Sequence, residues 1–177
     1  VLRKPVRTVQ PLDALAASTK VVVTTVGPYL RYGEALVDAC VSHKTDYCDL
    51  SGEPQFIRKM IDTHHEAAKE SGARIVNCCG YDSIPSDLGT LMVQDAFYER
   101  FGRYATQVKG AAGRVKGSFS GGTFASFMAT VEQTKADPSL RKILGDPYGL
   151  NPKGVRGPDG SDQRSVRYDD DFESWTA

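Results

Sequence analysis

Short β-branched runs alternate with amphipathic stretches through the first hundred residues. Residues 20–26 (KVVVTTV) form a nearly unbroken β-branched run closed by Gly27-Pro28. An apolar run of that length predicts a strand buried on both faces. From Tyr32 to His43, residues Leu36, Ala39, Cys40 and His43 recur at helical spacing. Residues 45–50 (TDYCDL) predict a second strand, ended by Ser51-Gly52. Pro54 opens a longer helical stretch in which Phe56, Ile57, Met60, Ile61, His64, Ala67 and Ala68 share a face. Proline suits a first helical turn, and Gly72 stands where a left-handed cap is expected. Residues 73–78 (ARIVNC) predict a third strand running into Gly80-Tyr81-Asp82-Ser83. Pro85 then opens a third helix carrying Ile84, Leu88, Leu91, Met92 and Phe97.

Strand, helix, strand, helix, strand, helix is the order of an α/β fold with parallel strands and helices on the faces. The pattern breaks after Phe101. Residues 104–118 are glycine-spotted and partly alternating, as in an exposed antiparallel strand. Gly121-Gly122-Thr123 precedes a helix through about Gln133, and Leu140–Leu144 reads as one helical turn. From Gly145 the chain is rich in Gly, Pro and Asp, which predicts a loop or poorly ordered tail. The expected domains are therefore 1–102, 103–144 and 145–177.

Composition narrows the function. The 22 basic and 22 acidic residues balance, so no long-range field steers the chain to nucleic acid. No apolar run reaches the roughly 18–20 residues that span a bilayer. The start, VLRKPVRTVQ, has neither an initiator Met nor a signal-peptide core, and reads as an internal piece of a longer chain. Four cysteines, Cys40, Cys48, Cys78 and Cys79, are too few for a secreted disulfide scaffold. Reduced thiols and a cytoplasmic location are expected. Cys40, His43 and Cys48 make no complete zinc set, so no metal is expected.

Two strand ends carry candidate chemistry. Ligands of open parallel sheets bind beyond the carboxyl ends of the strands. Thr25, Gly27, Pro28 and Tyr29 follow the first strand, where a small residue and a glycine admit a flat ring to the backbone. Gly80, Tyr81, Asp82 and Ser83 follow the third strand and precede a helix N-terminus, which suits an anion. Asp82 and Ser83 serve equally as helix caps. Gly121-Gly122, before a helix, could admit a ligand close to the backbone, but a plain linker turn is the favoured reading. No G-x-G-x-x-G fingerprint occurs anywhere in the chain.

On VVVTTVGPYLRYGEALVDAC (21–40), TDYCDLSGE (45–53), ARIVNCCGYDSIPSDLG (73–89) and GGTFASFMATVE (121–132), the chain resembles the saccharopine dehydrogenase-like oxidoreductases. The similarity is strongest to their trans-acting enoyl reductase branch. Members of the family run to about twice this length or more and open with a glycine-rich Rossmann turn. The resemblance implies the second half of a Rossmann-like doubly wound parallel sheet leading into a mixed α+β substrate domain. It implies an NADP (or NAD) cofactor and reduction of a carbon–carbon double bond in complex lipid or polyketide assembly. Thr25, Gly27, Pro28, Tyr29, Gly80, Asp82 and Ser83 would then bind cofactor; the resemblance identifies no proton donor, and Tyr81, Asp82 and Tyr29 are candidates on their chemistry alone. The substrate would be lipid- or acyl-linked, compatible with peripheral membrane association and with homo-oligomers. A saccharopine-type amino-acid dehydrogenase and a non-catalytic lipid-surface scaffold are the alternatives. The first should gather cations for substrate carboxylates, and Arg31 is the main one near these strand ends.

Overall fold

A computed structural model describes residues 9–111, 113, 116–117, 120–157 and 165–176. Contacts divide the chain into two compact units, Val1–Ser83 with Phe119–Leu150, and Ile84–Ser118 with Asn151–Ala177. In the first, α1 (Val9–Ala17) leads to β1 (Val21–Thr24), α2 (Tyr29–Tyr32), α3 (Glu34–Ser42), β2 (Asp46–Asp49), α4 (Pro54–Ser71) and β3 (Ile75–Val76). The second holds α5 (Ile84–Phe101). The chain returns to the first unit with α6 (Gly121–Ala136) and α7 (Leu140–Gly145). A hairpin of β4 (Arg167–Asp169) and β5 (Ser174–Thr176) belongs to the second unit.

The three strands form a parallel sheet in the order β1-β2-β3, with Val22 opposite Tyr47 and Cys48 opposite Val76. Parallel neighbours need a crossover, and here α2–α3 and α4 supply it. The core lies on one face of the sheet. Val22 and Tyr47 pack there with Val37, Ala39, Cys40 and Val41 of α3 and Phe56, Ile57, Met60 and Ala68 of α4. The other face does not follow expectation. β1 alternates exposed and buried, and Val23 is 68% exposed. The apolar run is therefore not a strand buried on both faces: its apolar side chains sit on both faces, but the unit's buried cluster covers one.

Local signals account for the elements. α4 begins on Pro54 and ends on Gly72 at φ +81, a left-handed cap that costs glycine nothing. The helix read from Tyr32 to His43 is α3, and a further short helix, α2, precedes it across Gly33. A Cβ at Gly33 would stand 2.6 Å from the Phe56 ring, so the close approach of α4 requires glycine. β3 is shorter than predicted because Cys78 turns left-handed, at φ +59. No strand forms among the described residues of 104–118; Gly110, Gly113 and Gly117 weaken extended pairing there. Asp169 of the terminal hairpin is buried and accepts from Asp171 and Phe172 N–H groups, while Tyr168 and Trp175 meet edge to face at 5.9 Å. Residues 158–164 of the predicted tail lie outside the described residues.

Candidate functional site

Beyond the carboxyl ends of β1 and β2 lies a cleft of about 420 Å³. Thr25, Gly27 and Tyr29 from the β1–α2 turn line one side. Leu50, Gly52, Glu53 and Pro54 come from the β2–α4 turn, and Asp82 from the loop after β3. Ser120, Gly122, Thr123 and Ser126 bring the N-terminal turn of α6, with Phe127, Thr130 and Leu144 behind them.

Two buried carboxylates hold this scaffold. Glu53 is 2% exposed; its Oε1 accepts from Tyr29 N–H at 3.0 Å and its Oε2 from Leu30 N–H at 2.8 Å. The side chain thus caps the first turn of α2 from 23 residues away in sequence and fixes the 27–30 turn to α4. Asp49 is wholly buried. Its Oδ1 accepts from Ser51 N–H and Oγ–H and from Cys78 N–H; its Oδ2 accepts from Tyr47 O–H and the Asn77 amide, at 2.7–3.2 Å. It ties the end of β2 to the chain leaving β3. Burial, then the Asp49 charge, pushes the Tyr47 phenol far above its ordinary value, so it stays a donor.

The candidate residues divide. Thr25, Gly27, Tyr29 and Asp82 meet at the cleft. Pro28, preceded by a cis peptide, is buried behind the first turn. Gly80 is buried and Ser83 half-buried, and Ser83 N–H donates to Gly80 O to close a turn. Tyr81 is 83% exposed and is not part of the lining. Tyr29 is committed: its O–H donates to Thr24 O and its oxygen accepts from Leu50 N–H, both at 3.2 Å. Burial raises its phenol above the ordinary value, opposed by the Leu50 bond.

Reading the residues in order overlooked Asp49 and Glu53 and ranked a ligand wall at residues 121–126 below a linker turn. Gly121-Gly122 is more than a linker turn, for Ser120 caps α6 by accepting from Thr123 N–H at 3.1 Å and lines the cleft beside it. Asp-Leu-Ser-Gly at a strand end was the available signal for Asp49, since Asx side chains bond backbone two residues on.

The lining suits an uncharged ring or sugar. A Cβ at Gly27 would stand 3.2 Å from Ser126 Oγ and 3.6 Å from the Tyr29 ring, filling a narrow cradle. The ionisable acids and bases among the lining residues are Glu53 and Asp82, both acidic apart from the Tyr29 phenol. Among the described residues no three His, Cys, Asp or Glu side chains gather as a metal set. No described helix is long and apolar enough to cross a membrane.

The chain is 48% identical over 141 residues to a Mycobacterium tuberculosis protein provisionally named a trans-acting enoyl reductase, covering 80% of this chain and 34% of that one. It is 43% identical over 144 residues to the trans-acting enoyl reductase of Mycobacterium bovis, with 78% and 34% covered. Against the trans-acting enoyl reductase of Mycobacterium ulcerans the values are 40% over 153 residues, 84% and 36%. No family model matches, and no solved structure matches. Over most of its residues the chain is similar to mycobacterial trans-acting enoyl reductases, and it spans about a third of their length.

Proposed function

We propose that this chain is the nicotinamide-side part of an NAD(P)H-dependent oxidoreductase that reduces an enoyl group on an acyl- or lipid-linked substrate. The cleft at the carboxyl ends of β1 and β2 carries this reading, supported by the names of the relatives. In it, residues 1–102 are the second half of a Rossmann-like sheet and residues 103–144 begin a substrate domain. NADP is the preferred cofactor by family resemblance.

Bound, the nicotinamide supplies the hydride. Gly27 leaves room for the flat ring beside the backbone. Thr25, Ser120 and Ser126 offer hydroxyls to the carboxamide or ribose. Glu53 binds nothing directly, since both its oxygens accept from the 29–30 turn; it holds Gly27 and Tyr29 in place. The Tyr29 oxygen is engaged on both sides and Tyr81 lies outside the lining, which leaves Asp82 as the proton-carrying candidate. An amine-forming dehydrogenase fits less well, because among the described residues no Lys or Arg lines the cleft to meet substrate carboxylates.

A chimera is the test. Residues 9–150 of this chain would replace the matching region of the M. bovis trans-acting enoyl reductase. The account expects NADPH consumption driven by an enoyl thioester, lost on Gly27→Val. A folded chimera that binds NADPH yet reduces nothing would overturn the reading.

A further inference from the structure

Three of the four cysteines, Cys48, Cys78 and Cys79, stand where β2 and β3 end. Cys48 is on β2, in register with Val76 of β3. Beyond Val76 the backbone turns left-handed at Cys78, φ +59. The chain nevertheless stays beside β2, for Cys79 N–H donates to Asp49 O at 2.7 Å. The Cys79 thiol then lies 3.5 Å from the carbonyl of Val76, the residue opposite Cys48. Beyond the effect of burial, the Cys48 thiol is near enough to raise the Cys79 thiol above its ordinary value. Both are half-buried, so a small reagent reaches them.

The other thiols are unsuited. Cys40 is wholly buried in the core. Cys78 donates to Ser51 O at 2.9 Å, on the Asp49 side of the chain. Cys78 and Cys79 are adjacent in sequence, and a bridge between neighbours strains the peptide between them.

We infer that Cys48 and Cys79 form a dithiol that closes to an intramolecular disulfide, a covalent modification site stapling β2 to the loop that carries Gly80 and Asp82. The inference is independent of the enoyl reductase reading. With a small-molecule disulfide as oxidant, the Cys79 or Cys48 thiolate attacks one sulfur and releases one small thiol. The second protein thiolate attacks the mixed disulfide and releases the other. Two protein thiols lose two electrons and two protons; the oxidant is reduced to two thiols. Burial, and next the neighbouring Cys48, raises the Cys79 thiol above its ordinary value, so little thiolate exists near neutrality. Closure is therefore slow at neutral pH and gains about tenfold per pH unit below the thiol pKa.

The experiment incubates the folded chain with oxidised glutathione at pH 7 and pH 9, alkylates the remaining thiols and maps the peptides by mass spectrometry. Expected is a monomer two hydrogens lighter, with residues 48 and 79 linked, Cys40 and Cys78 alkylated, and faster closure at pH 9. C78S should still close, while C48S and C79S should each stop at a glutathione adduct. A 78–79 link, links between chains only, or four alkylated thiols where the urea-unfolded chain oxidises fully would each overturn the inference.

Discussion

Two helices of equal length fare differently. α4 and α5 each have 18 residues, and each carries proline in its first turn. α4 buries Gln55, Phe56, Ile57, Met60, His64 and Ala68, while α5 buries none of its side chains. The difference is one of arrangement. The apolar residues of α4 gather on one stripe, which a sheet face can cover. Those of α5, from Leu88, Leu91, Met92 and Val93 to Phe97, Tyr98 and Phe101, go round the helix. A helix apolar on all sides is written for burial among several partners. Between Ile84–Ser118 and Asn151–Ala177, Asp169 is the only buried residue among those described. A buried hydrophobic cluster thus supports the candidate cleft, and the described residues of the second unit form none.

Deleting matched rings sharpens the contrast most. Phe56 is 1% exposed and packs 5.9 Å from Tyr29, ring centre to ring centre. Phe56→Ala should cost about 3–5 kcal/mol, as buried phenylalanines do. Phe101→Ala, at an exposed site of α5, should change stability by less than about 0.5 kcal/mol. Urea unfolding followed by circular dichroism measures both. Equal effects would break the comparison.

One substitution should change sign between the units. At Gly33 a Cβ meets the Phe56 ring and the Tyr29 carbonyl within 3 Å, so Gly33→Ala should cost about 1–3 kcal/mol through overpacking. At Gly89, inside α5, a Cβ meets nothing within 4 Å. Gly89→Ala should stabilise by about 0.5–1 kcal/mol, because alanine is the better helix former. Thermal melts of the two variants should move in opposite directions.

The smallest effect belongs to the terminal hairpin. Lys109 holds the Asp169 carboxyl below the usual carboxylate range. A lowered native value contributes stability above the ordinary aspartate pKa, and that stability is lost as pH falls through the native value. Trp175, the single tryptophan, reports on this hairpin alone. Its fluorescence should change on acidification below about pH 4. In Lys109→Met the change should begin at higher pH; an unchanged midpoint would contradict the ion pair's role.

Much of the sheet was legible because its signals are local. Pro54 and Gly72 bound α4, and the β-branched run and its closing Gly27-Pro28 gave β1. α1 was overlooked: nine residues offer only Leu12, Leu15 and Ala16 as a stripe, with Pro11 among them. The strand expected over 104–118 rested on alternation alone, and alternation does not supply a partner to pair with. At the site, Thr25, Gly27 and Asp82 were legible because ligand sites of parallel sheets lie at strand ends. Glu53 and Asp49 were not. Carboxylates are seldom fully buried, and what buries these two is backbone donors from turns 23 to 29 residues away. The wall from α6 was read as a linker turn by preference, since its place at the cleft depends on contacts about a hundred residues along the chain.

The central claim is that this cleft receives the nicotinamide half of the cofactor and not the adenosine half. Amide chemical shifts of the labelled chain, titrated with reduced nicotinamide mononucleotide and separately with adenosine 2′,5′-diphosphate, test it directly. The account predicts weak, millimolar-range shifts from the mononucleotide, confined to residues 25–30, 50–54, 82 and 120–126. Weakness is expected because the chain contains no G-x-G-x-x-G turn to hold a diphosphate through backbone N–H groups. Adenosine 2′,5′-diphosphate should leave those amides unmoved. Shifts from the adenosine compound in the cleft, or shifts from the mononucleotide only elsewhere, would contradict the account.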